Sequence, residues 1–532
     1  MEPACTYLPY KETGCFSRLA TDYIEQDPNI LPFFTYSPDA KGLEAAINER
    51  AKFPVNREAL VAALKRQYDC LGCCDKVQEN ISRLLDENTF TVCTAHQPNL
   101  LTGYLYFVYK ILHAIKLAEE LNSQHSGKYF VPVYYMGSED NDIEELGTFR
   151  YRGDKYIWDG DGQKGAVGRM DTAGLKKIFN ELFKVLGPPG KYRDNLEAML
   201  KGAYLKHKTI GEATQHLVNE LFGRYGLVVL NPDDAGLKAA FIPVMQDELL
   251  NQNSHRIVSG QIEKLGESYK IQAHPRLINL FYLTDQLRER IEQKGDKWVV
   301  VNTNIEWAKD ELLDELQQHP ERFSPNVMLR PLFQETILPN VAFIGGGAEV
   351  AYWLQLQPLF ARYNVFYPAI LLRQSVLWLN KPEATLRKQL GVSINDMFKP
   401  IGQLVADHVT SHTTNDLQTE KEATQISEIF GHLKQKATKL DPTLTKSAEA
   451  ALAKMKHQLD VLQQKMFRAE KKKMDITVKR IEKFKAATFP NNSLQERVEN
   501  FMEYYLEHGP AFFDVIKDGI EPLRNEFMVI EQ

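Results

Sequence analysis

The sequence predicts an α/β protein, an open parallel-sheet core with insertions, followed by an α-helical coiled-coil arm. Three observations predict it. Phe90 to Glu145 reads strand, turn, helix, strand, acidic turn, which is a βαβ unit with polar residues at both strand ends. Short buried strands running into polar or glycine turns recur at Gly226-Leu227-Val228-Val229-Leu230 and Val341-Ala342-Phe343-Ile344. From Pro382 the composition shifts to Lys, Gln, Glu and Ala, with apolar residues at alternating steps of three and four.

The chain has 532 residues, enough for two or three domains. Residues 1–400 read as the core, with N-terminal helices and connecting insertions at about 150–225 and 252–325. Residues 401–488 read as an antiparallel helical coiled coil, and 489–532 as a helical segment packing back on the core. The net charge of −6 leaves no electrostatic footprint for nucleic acid. The first residues lack the basic and apolar regions of a signal peptide, and no apolar run of about 18 residues exists to span a membrane. Six cysteines in such a chain fit a reducing cytoplasm. Cys70, Cys73 and Cys74 form one C-x-x-C-C cluster without the second pair that a closed zinc site needs, so no metal site is evident. Cys93, on the first strand, reads as a core thiol.

Taken in order, residues 1–89 read as mainly helical, with patterns over 39–53 and 56–83 broken at Pro54. The strand at 90–95 stops at His96-Gln97-Pro98-Asn99, and Gly103 precedes a helix with Leu105, Val108, Leu112, Ile115 and Ala118 on one face. The second strand, 129–136, ends in Gly137-Ser138-Glu139-Asp140-Asn141-Asp142. Residues 149–168 read as a hairpin or loop insertion and 175–222 as helices. Ile278 to Leu283 and Trp298 to Val301 are strand-like and form an inserted β element. Ser324-Pro325 reads as a helix start. Val341 to Ile344 ends in Gly345-Gly346-Gly347 before a helix over 348–360, and a strand-like run at 365–372 is closed by Arg373. The coiled-coil seam breaks at Asp441-Pro442, slips near Lys471-Lys472-Lys473 and ends at 489–493. Leu494 to Leu506 reads as a final helix capped by Ser493.

Ligands of open parallel sheets bind at the carboxyl ends of the strands, which gathers the candidate chemistry there. His96 at a strand end before a helix suits a phosphate, or simply caps its turn. Glu139, Asp140 and Asp142 suit a divalent ion, a ribose or an amine, or else cap a helix, and Asp233-Asp234 occupy an equivalent place. The glycines at 345–347 let a ligand approach the backbone, though they match neither nucleotide-binding fingerprint. Glu349 and Tyr352 lie on the first turns beyond them. Arg330 and Arg373 suit phosphate or carboxylate, or surface ion pairs. Neither H-E-x-x-H nor G-x-S-x-G occurs, which removes zincin and α/β-hydrolase chemistry.

These residues lie within long motifs. HQPNLLTGYLYFVYK (96–110), VPVYYMGSEDNDIEEL (131–146), INLFYLTD (278–285), LRPLFQETILPNVAFIGGGAEVAYWLQL (329–356) and FPNNSLQERVENF (489–501) together resemble the bacillithiol-biosynthesis cysteine-adding enzymes over most of the chain. The resemblance implies a Rossmann-like core related to class I aminoacyl-tRNA synthetases and nucleotidylyltransferases, with connecting insertions and a coiled-coil arm that makes a homodimer. It also implies a ligase joining the carboxyl of cysteine to the amino group of glucosaminyl-malate. Amide formation from a free carboxylate is uphill in water, so ATP, with Mg admissible beside it, is the expected source of activation. His96 matches the first His of a synthetase H-x-G-H turn, Asn99 stands where the second would be, and no K-M-S-K-S loop exists. By this likeness His96 and Asn99 contact phosphate or developing charge, and Glu139, Asp140 or Asp142 bind the amine or act as base. Gln97, Gly103, Arg330, Gly346, Gly347, Glu349, Tyr352 and Arg373 hold substrate or nucleotide. A competing reading is a non-catalytic nucleotide-binding scaffold or regulator on a coiled coil, which predicts binding without turnover. A tRNA-charging role is disfavoured by the net charge and by the lack of an evident anticodon-binding module.

Overall fold

The computed structural model describes residues 3–69, 71–72 and 74–532. Cys70 and Cys73 therefore lie outside the described residues. The chain divides into two units, one of residues 1–378 and 493–530 and the other of 379–492 and 531–532. The division expected near residue 400 thus falls earlier, because the helices Lys381–Leu390 and Ile401–His412 pack against the helix Asp475–Thr488 of the second unit.

The first unit is built on five parallel strands. These are β1 (Thr89–His96), β2 (Tyr129–Met136), β3 (Val228–Leu230), β4 (Asn340–Gly345) and β5 (Ala369–Leu372), in spatial order β5-β4-β1-β2-β3. The order reverses between β1 and β4, so two neighbouring strands send their chains to opposite sides and leave a crevice at their carboxyl ends. Register is fixed by pairings such as Cys93 with Val133, Phe343 with Cys93 and Phe343 with Ile370. Both faces of such a sheet are covered, so the strands are apolar throughout rather than alternating. Helix α1 (Leu105–Gln124) makes the crossover from β1 to β2 and is buried along most of its length. Val92, Phe130, Ile344 and Leu371 pack with Leu117 and Ala118 of α1 in one core cluster.

Two insertions decorate this sheet. Between β2 and β3 lie the hairpin of Thr148–Tyr151 with Asp154–Ile157 and three helices, Leu175–Val185, Lys191–Lys206 and Ile210–Phe222. Between β3 and β4 lies an antiparallel sheet of Leu280–Thr284, Leu287–Lys294, Lys297–Val300, Glu306–Trp307 and Phe323–Pro325. The expected helix start at Ser324-Pro325 is instead an edge strand, paired through Ser324 with Phe281. Proline is acceptable there because an edge needs no donor on its outer side. The helix begins at Arg330, with Pro331 in its first turn, and forms α2 (Arg330–Ile337). The expected helix from Leu494 to Leu506 is also shorter. Gln495–Arg497 is a single 3-10 turn, and the helix runs Phe501–His508 with Asn500 as its cap. Buried polar side chains in 495–500 bond backbone elsewhere, which competes with helix formation.

The second unit carries the arm. α4 (Glu420–Leu440) and α5 (Leu444–Lys473) pack as an antiparallel pair around the Asp441-Pro442 break, tied by Lys434 to Glu449 at 2.5 Å and Thr438 to Thr445 at 2.8 Å. The slip expected at the lysine run coincides with the end of α5, after which α6 (Asp475–Thr488) begins. Among the described residues no helix is long and apolar enough to cross a membrane.

His113 of α1 is a buried internal probe of the first unit. Its Nδ1 accepts from Gln374 N at 3.0 Å and its Nε2 lies 2.9 Å from the Pro522 carbonyl, which fixes a neutral ring with the proton on Nε2. Burial, reinforced by the Arg373 charge against the Pro522 bond, pushes its pKa from 6.5 down to about 4. As pH falls below 6.5 the unfolded chain takes up this proton first, so the group contributes a loss of stability down to pH 4 of up to about 3 kcal/mol. Thermal melts of His113→Gln should show a flatter decline between these pH values than the parent. Parallel declines would refute the assignment.

Candidate functional site at the strand-order reversal

The crevice between β1 and β4 opens into a cavity of about 720 Å³. Of the residues singled out in the sequence, His96, Gln97, Asp140, Arg330, Gly346, Gly347, Glu349, Tyr352 and Arg373 line it. Asn99, Gly103, Glu139 and Asp142 do not. Sequence reasoning missed Lys110, Glu145, His274, Arg276, Arg288 and Arg497, which also line it. Lys110 and Glu145 lie inside the long motifs, and Arg276 and Arg288 flank the INLFYLTD stretch, so proximity to those motifs was the available signal. Six Lys and Arg side chains face three carboxylates across the lining, which leaves it an excess of positive charge.

β1 delivers His96. Its Nδ1 lies 2.7 Å from the Gln97 backbone N–H and 2.9 Å from Gln97 Oε1; the backbone donor cannot be turned around whereas the side chain can, which places the ring proton on Nε2. The ring stacks on Tyr106 with centroids 5.3 Å apart, and Nε2 has no hydrogen-bond partner among the described residues. Burial, aided by the Lys110 charge, pushes the imidazole down to about 3. His96 is thus a neutral hydrogen-bond donor at physiological pH.

β2 delivers Asp140. Burial raises its carboxyl, but Arg330, Arg288 and the Gln97 amide at 3.2 Å outweigh this and hold it below its ordinary value. It lies 4.0 Å from Arg330. Glu145 behaves oppositely, pushed up by burial and by the charges of Asp142 and Asp140.

β4 delivers the glycine turn and α3 (Gly347–Leu354). Gly345 must be glycine, because a Cβ there would lie 2.9 Å from the Phe343 ring. Gly346 has ordinary space, and its bare Cα faces Arg373 Nε, 3.7 Å from where a Cβ would sit. The Gly346 N–H is already used by Glu349 at 2.8 Å. Glu349 also pairs with Lys110, whose ammonium donates to the Ala95 carbonyl at 2.9 Å. The first turn of α3 therefore carries its own carboxylate, and free anion-binding capacity lies with the arginines. Arg288 Nε and Arg373 Nε are buried without partners. Together with His96 Nε2 they fit phosphate or carboxylate oxygens. Among the described residues no group of three or more His, Cys, Asp or Glu is placed to hold a metal ion.

The residues outside the cavity have structural tasks. Glu139 is buried in an ion pair with Lys238, which also reaches Asp233 at 3.3 Å. Asp233 in turn receives Arg169 bidentately at 2.7 and 2.8 Å, and Asp234 pairs with Arg66 at 2.8 Å. Asp142 is exposed and caps the turn Ile143–Leu146 by accepting from Glu145 N at 3.2 Å. Asn99 is buried, and Gly103 closes the turn before α1 at φ +68°.

A parallel sheet in this order, with a cavity of net positive lining at its reversal, defines a Rossmann-like protein. The family model "Bacillithiol biosynthesis BshC, N-terminal Rossmann-like domain" matches residues 3–374, and "Bacillithiol biosynthesis BshC, C-terminal coiled-coil domain" matches 376–532. The chain belongs to this BshC family. Relatives carrying the name "Putative cysteine ligase BshC" include that of Flavobacterium johnsoniae, 40% identical over 98% of this chain and 99% of its own. Others are those of Christiangramia forsetii, 38% identical over 98% of each chain, and Bacillus pumilus, 26% identical over 99% of each.

If Glu139 is a structural partner rather than a ligand, Glu139→Gln leaves the buried Lys238 with Asp233, already shared with Arg169, as its remaining carboxylate partner. The substitution should lower the unfolding free energy by about 2 kcal/mol in urea titrations. An unchanged midpoint would return Glu139 to the list of ligand-binding candidates.

Proposed function

We propose that this chain is a cysteine ligase of bacillithiol synthesis, joining the carboxyl of cysteine to the amino group of glucosaminyl-malate with ATP. The observation that carries the reading is a cavity lined by six Lys and Arg side chains, with His96 beside them, at the strand-order reversal of a chain of this family. Cysteine, glucosaminyl-malate and ATP all bring anionic groups to such a cavity. ATP supplies the free energy that makes amide formation from a carboxylate favourable. Neutral His96 donates to an oxygen on which negative charge grows, a role that needs no protonated imidazole. Arg330 and Arg288 neutralise phosphate or carboxylate charge beside it. Asp140, held ionised by those arginines, suits the ammonium form of the incoming amine. Glu145, whose pKa is raised, is the better base to take the proton released as nitrogen attacks the carbonyl.

The arm supports a homodimer in this reading. Ile429, Leu433, Met455 and Leu462 remain 57, 47, 43 and 51% exposed, an apolar row that a second copy would cover. The reducing cytoplasm is the expected compartment, in keeping with the cysteine usage.

Pure protein given glucosaminyl-malate, cysteine and ATP should yield bacillithiol by mass spectrometry, and each substitution His96→Ala and Arg330→Ala should reduce kcat/KM about a hundred-fold or more. No product beside an active homologue would overturn the ligase reading in favour of a non-catalytic scaffold. Leu459→Glu should halve the mass seen by light scattering, and an unaltered mass would count against a seam-mediated dimer.

A further inference from the structure

The chain leaves the first unit after Trp378 and re-enters it at Ser493. The residues that follow do more than anchor a tail. Gln495 clamps the backbone of Trp378, accepting from its N–H at 3.0 Å and donating to its carbonyl at 3.1 Å. Glu496 is fully buried and accepts from both Arg373 Nη atoms, at 2.9 and 2.6 Å, and from Ser375 Oγ at 3.2 Å. With both Nη groups committed, the guanidinium is left with its buried Nε beside the Gly346 turn, and both residues line the cavity. Arg497 lines the cavity itself.

Asn500, also fully buried, donates through Nδ2 to the carbonyls of Leu101 at 2.8 Å and Gly103 at 2.6 Å. The loop it grips is strained. Leu101, Thr102 and Gly103 have φ of +53, +65 and +68°, and two of the three carry side chains that disfavour this region. Such backbone persists only where its surroundings over-determine it. Here Tyr204 accepts from Leu101 N at 2.9 Å, and the Glu499 carbonyl accepts from Leu105 N at 2.9 Å. This is the loop that follows His96 and starts α1, the helix that presents Tyr106 and Lys110 to the cavity.

We propose that the return segment 495–500 is a built-in part of the functional site, with Glu496 and Asn500 as positioning residues. Glu496 aims Arg373, and Asn500 holds the left-handed loop that sets His96, Tyr106 and Lys110. The inference rests on the cavity being the reaction site, yet its structural half is measurable without turnover.

The test uses the full chain with Asn500→Ala, Glu496→Gln and Tyr204→Phe. Hydrogen exchange of Asn500→Ala should accelerate about ten-fold or more at amides 99–105 and leave 340–345 unchanged. In the bacillithiol assay the same variant should lose about ten-fold or more in kcat with little change in KM. Glu496→Gln should lower kcat/KM about ten-fold in the parent and by less than about two-fold in an Arg373→Ala background, because it acts through that arginine. Unchanged or uniformly raised exchange would overturn the role of Asn500, and multiplicative losses in the double variant would overturn that of Glu496. Should Asn500→Ala fail to fold, Tyr204→Phe removes the opposite grip on Leu101 and must give the same localised exchange. Should the parent make no product, the ligase reading fails while the exchange result still decides the positioning role.

Discussion

A single buried ammonium organises the centre of the first unit. Lys110 lies on α1, donates to the Ala95 carbonyl near the end of β1 and pairs with Glu349 on the first turn of α3. A lysine so far from water persists only if its charge is met, and the partner that meets it comes from the helix that follows β4, about 240 residues later in the chain. The pair therefore locks β1 and β4 side by side at the level where the crevice begins. It also fills the α3 N-terminus with a carboxylate, which shifts anion recognition from the helix end to the surrounding arginines.

Those arginines come from separate parts of the chain. Arg288 belongs to the inserted antiparallel sheet, Arg330 to α2, Arg373 to the end of β5 and Arg497 to the return segment. They are not equally compensated. Against burial, Asp140 holds the Arg330 guanidinium above its ordinary value and Glu496 does the same for Arg373, whereas Arg288 is pushed by burial and by Arg330 down to about 10. In the proposed reaction Arg288 is therefore the arginine with most to gain from an incoming anion.

The sheet was legible in the sequence because parallel strands buried on both faces leave continuous apolar runs, and because β1, β2, β3 and β4 each end in a polar or glycine signal. Nine of the thirteen candidate residues meet at one cavity for the same reason, since strand ends in one sheet share an edge. Glu139 was indistinguishable from Asp140 by position, and only the side to which each turns separates a buried ion pair from a cavity carboxylate. Arg288 flanks one long motif and Arg497 lies within another, but nothing local reveals that these distant segments fold over the same strand ends. The segment 494–500 misled helix reasoning because its Gln, Glu and Asn side chains satisfy distant backbone, a tertiary fact without sequence periodicity.

The three-stranded sheet of the first unit sets Glu526–Glu531 between Ala4–Pro9 and Val376–Leu379. Its middle strand pairs only with segments far away in the chain, so loop-closure entropy has to be met before its contacts return anything. The Glu496–Arg373 pair joins the same two distant stretches of chain as the pairing of Glu526–Glu531 with Val376–Leu379, so each lowers the loop-closure cost of the other.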